Sequence, residues 1–361
     1  MTESVTQRVL LVASPEDVAP PWPLSALSDH LRRDGHDVAV TDDVDGADPN
    51  DVDVIHAFGW IAGRAVAARG PGVPWVLTAP WLRSATGPDA ADVARGAAVA
   101  LCASSEEANG ANRLGVPRQR CLVLPMGVDV EVFTRLGPSA NRTTLHRVIV
   151  RAVGPGDGVL DVIAALPALP GTELVILVGG VPADDGRYHQ VLRDVALDVG
   201  VRDRVALVPA RDALERSWLL RSADVVVSVG RESGPQELVA EAMACGKAVV
   251  VTPTGPQRDL AVHDVTGLHV PAGHVRALAL ALRQLLADPF TLEGMGLAGA
   301  ERALSRYAWS RVAHEFGSVY ARVSGRRPGA SDGSDDDVDV DVEWVDAGGI
   351  GTVAFAAGSS G

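Results

Sequence analysis

Short, continuously apolar runs alternate with helical patterns along the first third of the chain, and then the whole alternation begins again. In the first series the runs "RVLLVAS", "HDVAVTD", "DVDVIHAFG", "VPWVLTAP", "AAVALCAS" and "RCLVLPMG" are separated by segments such as "PLSALSDHLRRDG", "WIAGRAVAARG" and "EEANGANRLG". In the second, "RVIVRAVG", "ELVILVGG", "RVALVPA", "DVVVSVG" and "KAVVVTPTG" alternate with "GVLDVIAALPAL", "YHQVLRDVALDVG", "ALERSWLLRSA" and "QELVAEAMACG". A strand that is apolar at every position, not at every second one, has both faces covered, the condition of a parallel sheet between helices. The doubling therefore predicts an α/β protein of two Rossmann-like, doubly wound domains, at residues 7–135 and 146–305, with a cleft between them. A length of 361 residues is more than one hydrophobic core usually supports, which agrees with that division.

Charge narrows the function classes. The chain carries 46 Asp plus Glu against 32 Lys plus Arg, a net charge of −14. Eight of those acids lie between Asp332 and Asp346 with no basic residue among them, leaving −6 for everything else. A mildly acidic body argues against nucleic acid or an anionic membrane surface as a partner. The Gly/Ser/Asp-rich residues 325–361 are expected to be a disordered acidic tail, with "TVAFAA" as a segment that could pair. Cys102, Cys121 and Cys245 sit in apolar runs without metal-type spacing and read as reduced, buried thiols. The N-terminus has no basic region before its apolar run, and no apolar stretch approaches the roughly 18 residues of a membrane span, so a cytoplasmic location is expected.

The segment "RSADVVVSVGRESGPQELVAEAMACGKAVVVTPTGPQRDL", together with "PMGVDVEVFTRLGP" upstream and "RYAWSRVAHEFGSVYARV" downstream, resembles the retaining glycosyltransferases of the large family that includes sucrose-phosphate synthase and the inositol-phosphate sugar transferases. The likeness runs over roughly residues 7–324. It implies a GT-B architecture in which the second domain holds a nucleotide sugar such as a UDP- or GDP-sugar, with no metal and no further cofactor. It also implies that the last helix, 308–324, crosses back to the first domain. In the family pattern one glutamate meets the donor sugar and a second the nucleotide ribose. Glu241 matches the second, since a carboxylate can accept hydroxyl hydrogen bonds. Glu232 matches the first only if "ESGPQ" bulges by one residue around Gly234, because it precedes Glu241 by nine positions. Glu237 then reads as a first-turn acid favoured by the helix dipole.

The same comparison exposes departures. The family places an Arg and a Lys after the first strand of the second domain, where fixed positive charge stabilises the departing diphosphate. Here "AVGPGDGVLDVI" has Pro155 and Asp157. At about 6 Å and an effective dielectric near 20, the sign reversal at Asp157 is worth roughly 3 kcal/mol in each direction before screening, so Asp157→Lys is expected to raise donor affinity. Gly154 and Gly156 could compensate as a backbone nest, and Arg231, Arg258 and Gly255 flank the expected diphosphate position. Pro20, Pro21 and Pro23 stand in place of a glycine pair, and Pro80 in place of a histidine. His56, in "VIHAFGW", matches a family-like turn on the acceptor side, or is simply packed at a strand end. Lys247, the single lysine, is expected to face solvent. Three functions stay open: a retaining glycosyltransferase with an impaired site, a non-catalytic relative that binds a nucleotide, glycan or protein, and a sugar-nucleotide epimerase, which would also need diphosphate cations.

Overall fold

The computed structural model describes residues 6–17, 23–43, 51–79, 88–178, 186–209, 212–231, 236–325, 344–346 and 349–351. The first domain contains strands β1 (Arg8–Ala13), β2 (Asp37–Thr41), β3 (Val54–Phe58), β4 (Trp75–Thr78), β5 (Val99–Cys102) and β6 (Cys121–Val123). Its helices are α1 (Leu24–Arg33), α2 (Trp60–Arg69), α3 (Pro88–Gly96) and α4 (Ser105–Arg113). All its strand pairs are parallel, in the order β2-β1-β3-β4-β5-β6.

The second domain repeats the plan with β7 (His146–Arg151), β8 (Thr172–Val178), β9 (Val205–Pro209), β10 (Val225–Ser228), β11 (Ala248–Val251) and β12 (Gly267–His269). Between and after them lie α5 (Val159–Ala165), α6 (Arg187–Asp198), α7 (Ala213–Ser222), α8 (Gln236–Ala244), α9 (Pro256–Leu260), α10 (Val275–Ala287) and α11 (Pro289–Arg302). The sheet is again wholly parallel, in the order β12-β11-β10-β7-β8-β9. The apolar runs are buried on both faces, as at β10, where all four residues of Val225–Ser228 are buried between one core containing α5, α6 and α10 and another containing α7 and α8.

A π-turn, Ala303–Tyr307, leads into α12 (Trp309–Val323), which leaves the second domain and packs on the first. Its buried stripe, Trp309, Val312, Ala313, Phe316, Val319 and Tyr320, meets Leu27 and Leu31 of α1 and Val9, Leu11, Val76 and Leu101 of the sheet. The spacing of three and four residues makes one continuous helix face. Phe316 and Tyr320 are wholly buried, and each such aromatic contributes roughly 2–3 kcal/mol by area. Of the acidic tail, the described residues are β13 (Trp344–Asp346) and β14 (Gly349–Gly351), an antiparallel pair; "TVAFAA" lies outside the described residues. Among the described residues no helix is long and apolar enough to cross a membrane, and no group of three His, Cys, Asp or Glu is placed to hold a metal ion. All three cysteines are free and buried.

Candidate functional site

Each sheet changes winding direction once, between β1 and β3 in the first domain and between β7 and β10 in the second. Crevices beyond the strand C-termini at such points are where open parallel sheets take ligands. The two C-terminal edges face each other. Helix α4 leaves the end of β5 and α9 leaves the end of β11, and their first turns meet: Ser105 N donates to Asp259 Oδ2 at 2.7 Å, and Gly255 N donates to Glu106 Oε2 at 2.7 Å.

On the second domain the crevice is bordered by the loop between β7 and α5 and the turn after β10. Gly154, Gly156 and Gly158 all have positive φ, 139°, 94° and 83°, and they curl the loop around Asp157. Its Oδ2 accepts from Val153 N at 2.9 Å and Gly154 N at 3.1 Å, and its Oδ1 from Val159 N at 2.9 Å and Tyr188 Oη at 2.6 Å. The Asp157 carboxylate is buried, turned into the domain, and engaged as the anion of its own loop. Amides that could have formed a nest for phosphate are taken by it. Gly158 admits no side chain, since a Cβ would lie 2.6 Å from the Val229 carbonyl oxygen. That contact, with Arg231 N donating to Gly156 O at 3.0 Å, fastens the two border loops together. Gly154 and Gly156 face open space.

Glu241 is in the second turn of α8 and is buried. Both its oxygens are gripped by Arg216 of α7, with Nε donating to Oε2 and Nη2 to Oε1, each at 2.7 Å. The guanidinium lies 5.2 Å from the Phe133 ring centroid, a cation–π distance. Burial pushes the Glu241 carboxyl up, and the Arg216 hydrogen bonds and charge pull it back toward the ionised form. Glu237 is not idle: its Oε2 accepts from Arg151 Nη1 at 3.1 Å, so the two acids of α8 are each matched by a cation. Arg231 is exposed and its guanidinium lies beside Gly273; Arg258 is exposed with Nε donating to Pro253 O at 3.0 Å. Glu232, Gly234, Pro20, Pro21 and Pro80 lie outside the described residues. Lys247, expected to face solvent, is only partly exposed, and burial lowers its pKa.

Of the two readings of His56, the structure bears out the packed strand-end residue and not the acceptor-side one. It is wholly buried, with Nδ1 2.8 Å from Tyr320 Oη of α12 and Nε2 2.9 Å from Thr78 Oγ1. Burial pushes its pKa down to about 3, so it is neutral. It joins the first sheet to α12 and does not line the cleft.

Sequence reasoning passed over four residues here. Asp17 reaches from the loop after β1 to the first turn of α2, accepting from Ile61 N at 3.0 Å and Ala62 N at 3.2 Å. Gly59, with φ of 100°, gives it room, because a Cβ there would lie 2.1 Å from its carboxyl carbon. Glu106 and Asp259 join the domains, and Arg216 holds Glu241. The signal that could have pointed here is the neighbouring S-x-x-E pattern: Ser104 Oγ, at the N-cap, accepts from Glu107 N, while Glu107 Oε2 accepts from Ala103 N, one residue before the cap.

Residues 146–302 match the Glycosyl transferases group 1 family. A D-inositol 3-phosphate glycosyltransferase of Xylanimonas cellulosilytica is 31% identical over 310 residues, covering 76% of this chain and 73% of the relative. An alpha-maltose-1-phosphate synthase of Mycobacterium tuberculosis is 27% identical over 311 residues, covering 75% and 79%. The sucrose-phosphate synthase of Thermosynechococcus elongatus shares the fold with a TM-score of 0.75 at 18% identity, covering 89% of this chain and 100% of that one. HepE of Anabaena, solved in complex with UDP and glucose, does so at 0.69 and 16%, covering 87% and 99%.

Proposed function

Because this chain belongs to the Glycosyl transferases group 1 family, we propose that it transfers a sugar from a nucleotide-sugar donor, a UDP- or GDP-sugar, to an acceptor with retention of configuration. The observation that supports this reading is the Glu241 carboxylate, buried one turn inside α8, the helix that follows switch-point strand β10, and without a like-charged neighbour left unpaired. Such a carboxylate accepts the ribose hydroxyls of a bound nucleotide. The HepE structures with UDP, and with UDP-glucose, support a uridine nucleotide as the first candidate.

Glu232 and Gly234 follow Arg231 directly and are assigned to the donor sugar. Arg231 and Arg258 are assigned to the diphosphate, with Gly154 and Gly156 leaving open space for it and donating no hydrogen bond to it. The leaving group is stabilised by these two exposed cations and not by the 154–158 loop, so transfer is slow relative to a site with a fixed Arg and Lys; no metal is required. One observation favours a second reading, a non-catalytic nucleotide- or glycan-binding relative: Asp157, Asp17 and Glu106 already occupy backbone amides at the starts of α5, α2 and α9.

The test is thermal unfolding with UDP, GDP and UDP-glucose, for the wild type and Glu241→Ala. A ligand at a hundred times its Kd adds about 2.7 kcal/mol of stability. Stabilisation of the wild type and its loss in Glu241→Ala are expected, with proton NMR of the anomeric signal reporting retention in any product. Equal stabilisation of both proteins would remove Glu241 from the site. Binding without transfer to any acceptor would favour the second reading.

A further inference from the structure

A carboxylate buried as deeply as Glu241 loses its hydration, and left alone it would be held neutral by protonation. A neutral carboxyl has one oxygen committed as a hydroxyl donor and is a poor acceptor for two sugar hydroxyls. What keeps it ionised must come from its surroundings. Helix α7 supplies Arg216, whose side-on fork takes one lone pair of each oxygen at 2.7 Å and leaves the others available. The fork is itself fixed, stacked over Phe133 from the segment that joins the domains.

The other charged groups around the pair do not substitute for Arg216. From β7, Arg151 favours the ionised form but is hydrogen-bonded to Glu237. Glu237, on α8 itself, opposes ionisation, and Asp212, at the start of α7, acts on Arg216. The Cys245 thiol, pushed up to about 12 by burial, is neutral. On α9 and α11, Arg258 and Arg302 are turned to backbone carbonyls at Pro253, Asp259 and Leu260, while Asp259 faces Ser105.

Resting on the reading that Glu241 accepts the ribose hydroxyls, we infer that Arg216 is a positioning residue for nucleotide recognition: it holds Glu241 as an ionised, oriented carboxylate. It touches the nucleotide only through Glu241. A merely structural Arg216 would affect folding and leave the pH dependence of binding alone, and an Arg216 that competes with the ribose would obstruct binding.

The experiment compares the wild type, Arg216→Met, Arg216→Lys and Glu241→Gln in the full chain. The first readout needs no ligand: the carboxyl carbon of Glu241 in protein labelled with carbon-13 glutamate, identified by its loss in Glu241→Gln and followed from pH 5.5 to 8.5. It is expected to be ionised at neutral pH in the wild type. In Arg216→Met it is expected to be protonated at neutral pH, since unpaired buried glutamates reach pKa values of roughly 8–9. A carboxyl in Arg216→Met that stays ionised at neutral pH overturns the inference. The second readout is UDP and GDP affinity by calorimetry. Between pH 8.5 and 6 the wild type is expected to change by less than about twofold, whereas Arg216→Met weakens about tenfold or more as the carboxyl takes up its proton. Arg216→Lys keeps the charge and should restore the flat profile. Tighter binding by Arg216→Met would show a latch and overturn the inference. If Glu241→Gln weakens binding but Arg216→Met follows the wild type at every pH, the inference alone fails. If Glu241→Gln binds as the wild type does, or the wild type binds neither nucleotide, the reading of Glu241 fails instead, and the carboxyl titration still decides the role of Arg216. Should Arg216→Met melt below the assay temperature, the paired replacement Arg216→Met with Glu241→Gln, which leaves no buried charge alone, is the folding control, and Arg216→Lys carries both readouts.

Discussion

Replacing Asp157 perturbs the loop most relevant to donor binding, and the structure reverses what its charge suggests. The carboxylate accepts four hydrogen bonds, from Val153 N, Gly154 N, Val159 N and Tyr188 Oη. In Asp157→Ala the amides of Val153 and Gly154, on partly exposed residues, are rehydrated at little cost. Val159 and Tyr188 are buried and cannot be. Two stranded donors at about 1–3 kcal/mol each, with the lost charge-assisted bonds, give a destabilisation of about 3–5 kcal/mol. Asp157→Asn keeps the shape but turns an amide group toward donors, for about 2 kcal/mol. Asp157→Lys places an ammonium among those donors and is the worst of the three. It therefore lowers stability and does not raise donor affinity. The assay is urea unfolding of each variant, with the transition of the second domain followed separately, since two domains need not unfold together. An Asp157→Ala change of less than about 0.5 kcal/mol, or an Asp157→Lys protein that melts like the wild type and binds UDP more tightly, would refute the inward carboxylate.

Two further outcomes follow from residues that tie the architecture together. His56 is neutral in the fold, with its pKa down to about 3, against 6.5 when exposed. Its contribution to stability is complete above pH 6.5 and is lost as the pH falls toward 3, about 2 kcal/mol being gone by pH 5; urea midpoints between pH 7 and 5 should fall less steeply in His56→Asn, and an unchanged slope would show that this histidine does not titrate. Glu106→Ala removes the acceptor for Gly255 N across the domain boundary, so hydrogen exchange at that amide should quicken by about tenfold or more, and an unaltered rate would mean the contact is not maintained in solution.

The fold was legible because its signal is local and repeated. A run such as Val225–Ser228 or Ala248–Val251 is apolar at each backbone position, and only a strand covered on both faces uses it so. Glu241 was legible as a residue because its helix and the strand before it are local features too. What could not be read was direction. The charge of Asp157 is in the sequence, but three left-handed glycines decide that it points inward. His56 becomes structural through Tyr320, 264 positions away. Arg216 is one cation in the exposed-looking stretch "ALERSWLLRS", and its role exists only because α7 lies beside α8. Asp17 and Glu106 were hidden for the same reason: each accepts from the start of a distant helix to which it does not belong.

The return of α12 to the first domain also sets an order of events during synthesis. The second domain's cores draw on residues from Val128 to Tyr307, so that domain has all its parts as soon as the π-turn has been made. The first domain is made before the second but lacks Phe316 and Tyr320 until α12 is complete. Roughly 200 residues separate β6 from the end of α12, which at about 5–20 residues per second is on the order of 10–40 s. For that interval Leu11, Leu27, Leu31 and Leu101 are a half-built apolar wall, so the earlier-made domain stays open to misassociation while the later one is completed. The domain made first is the last to be finished.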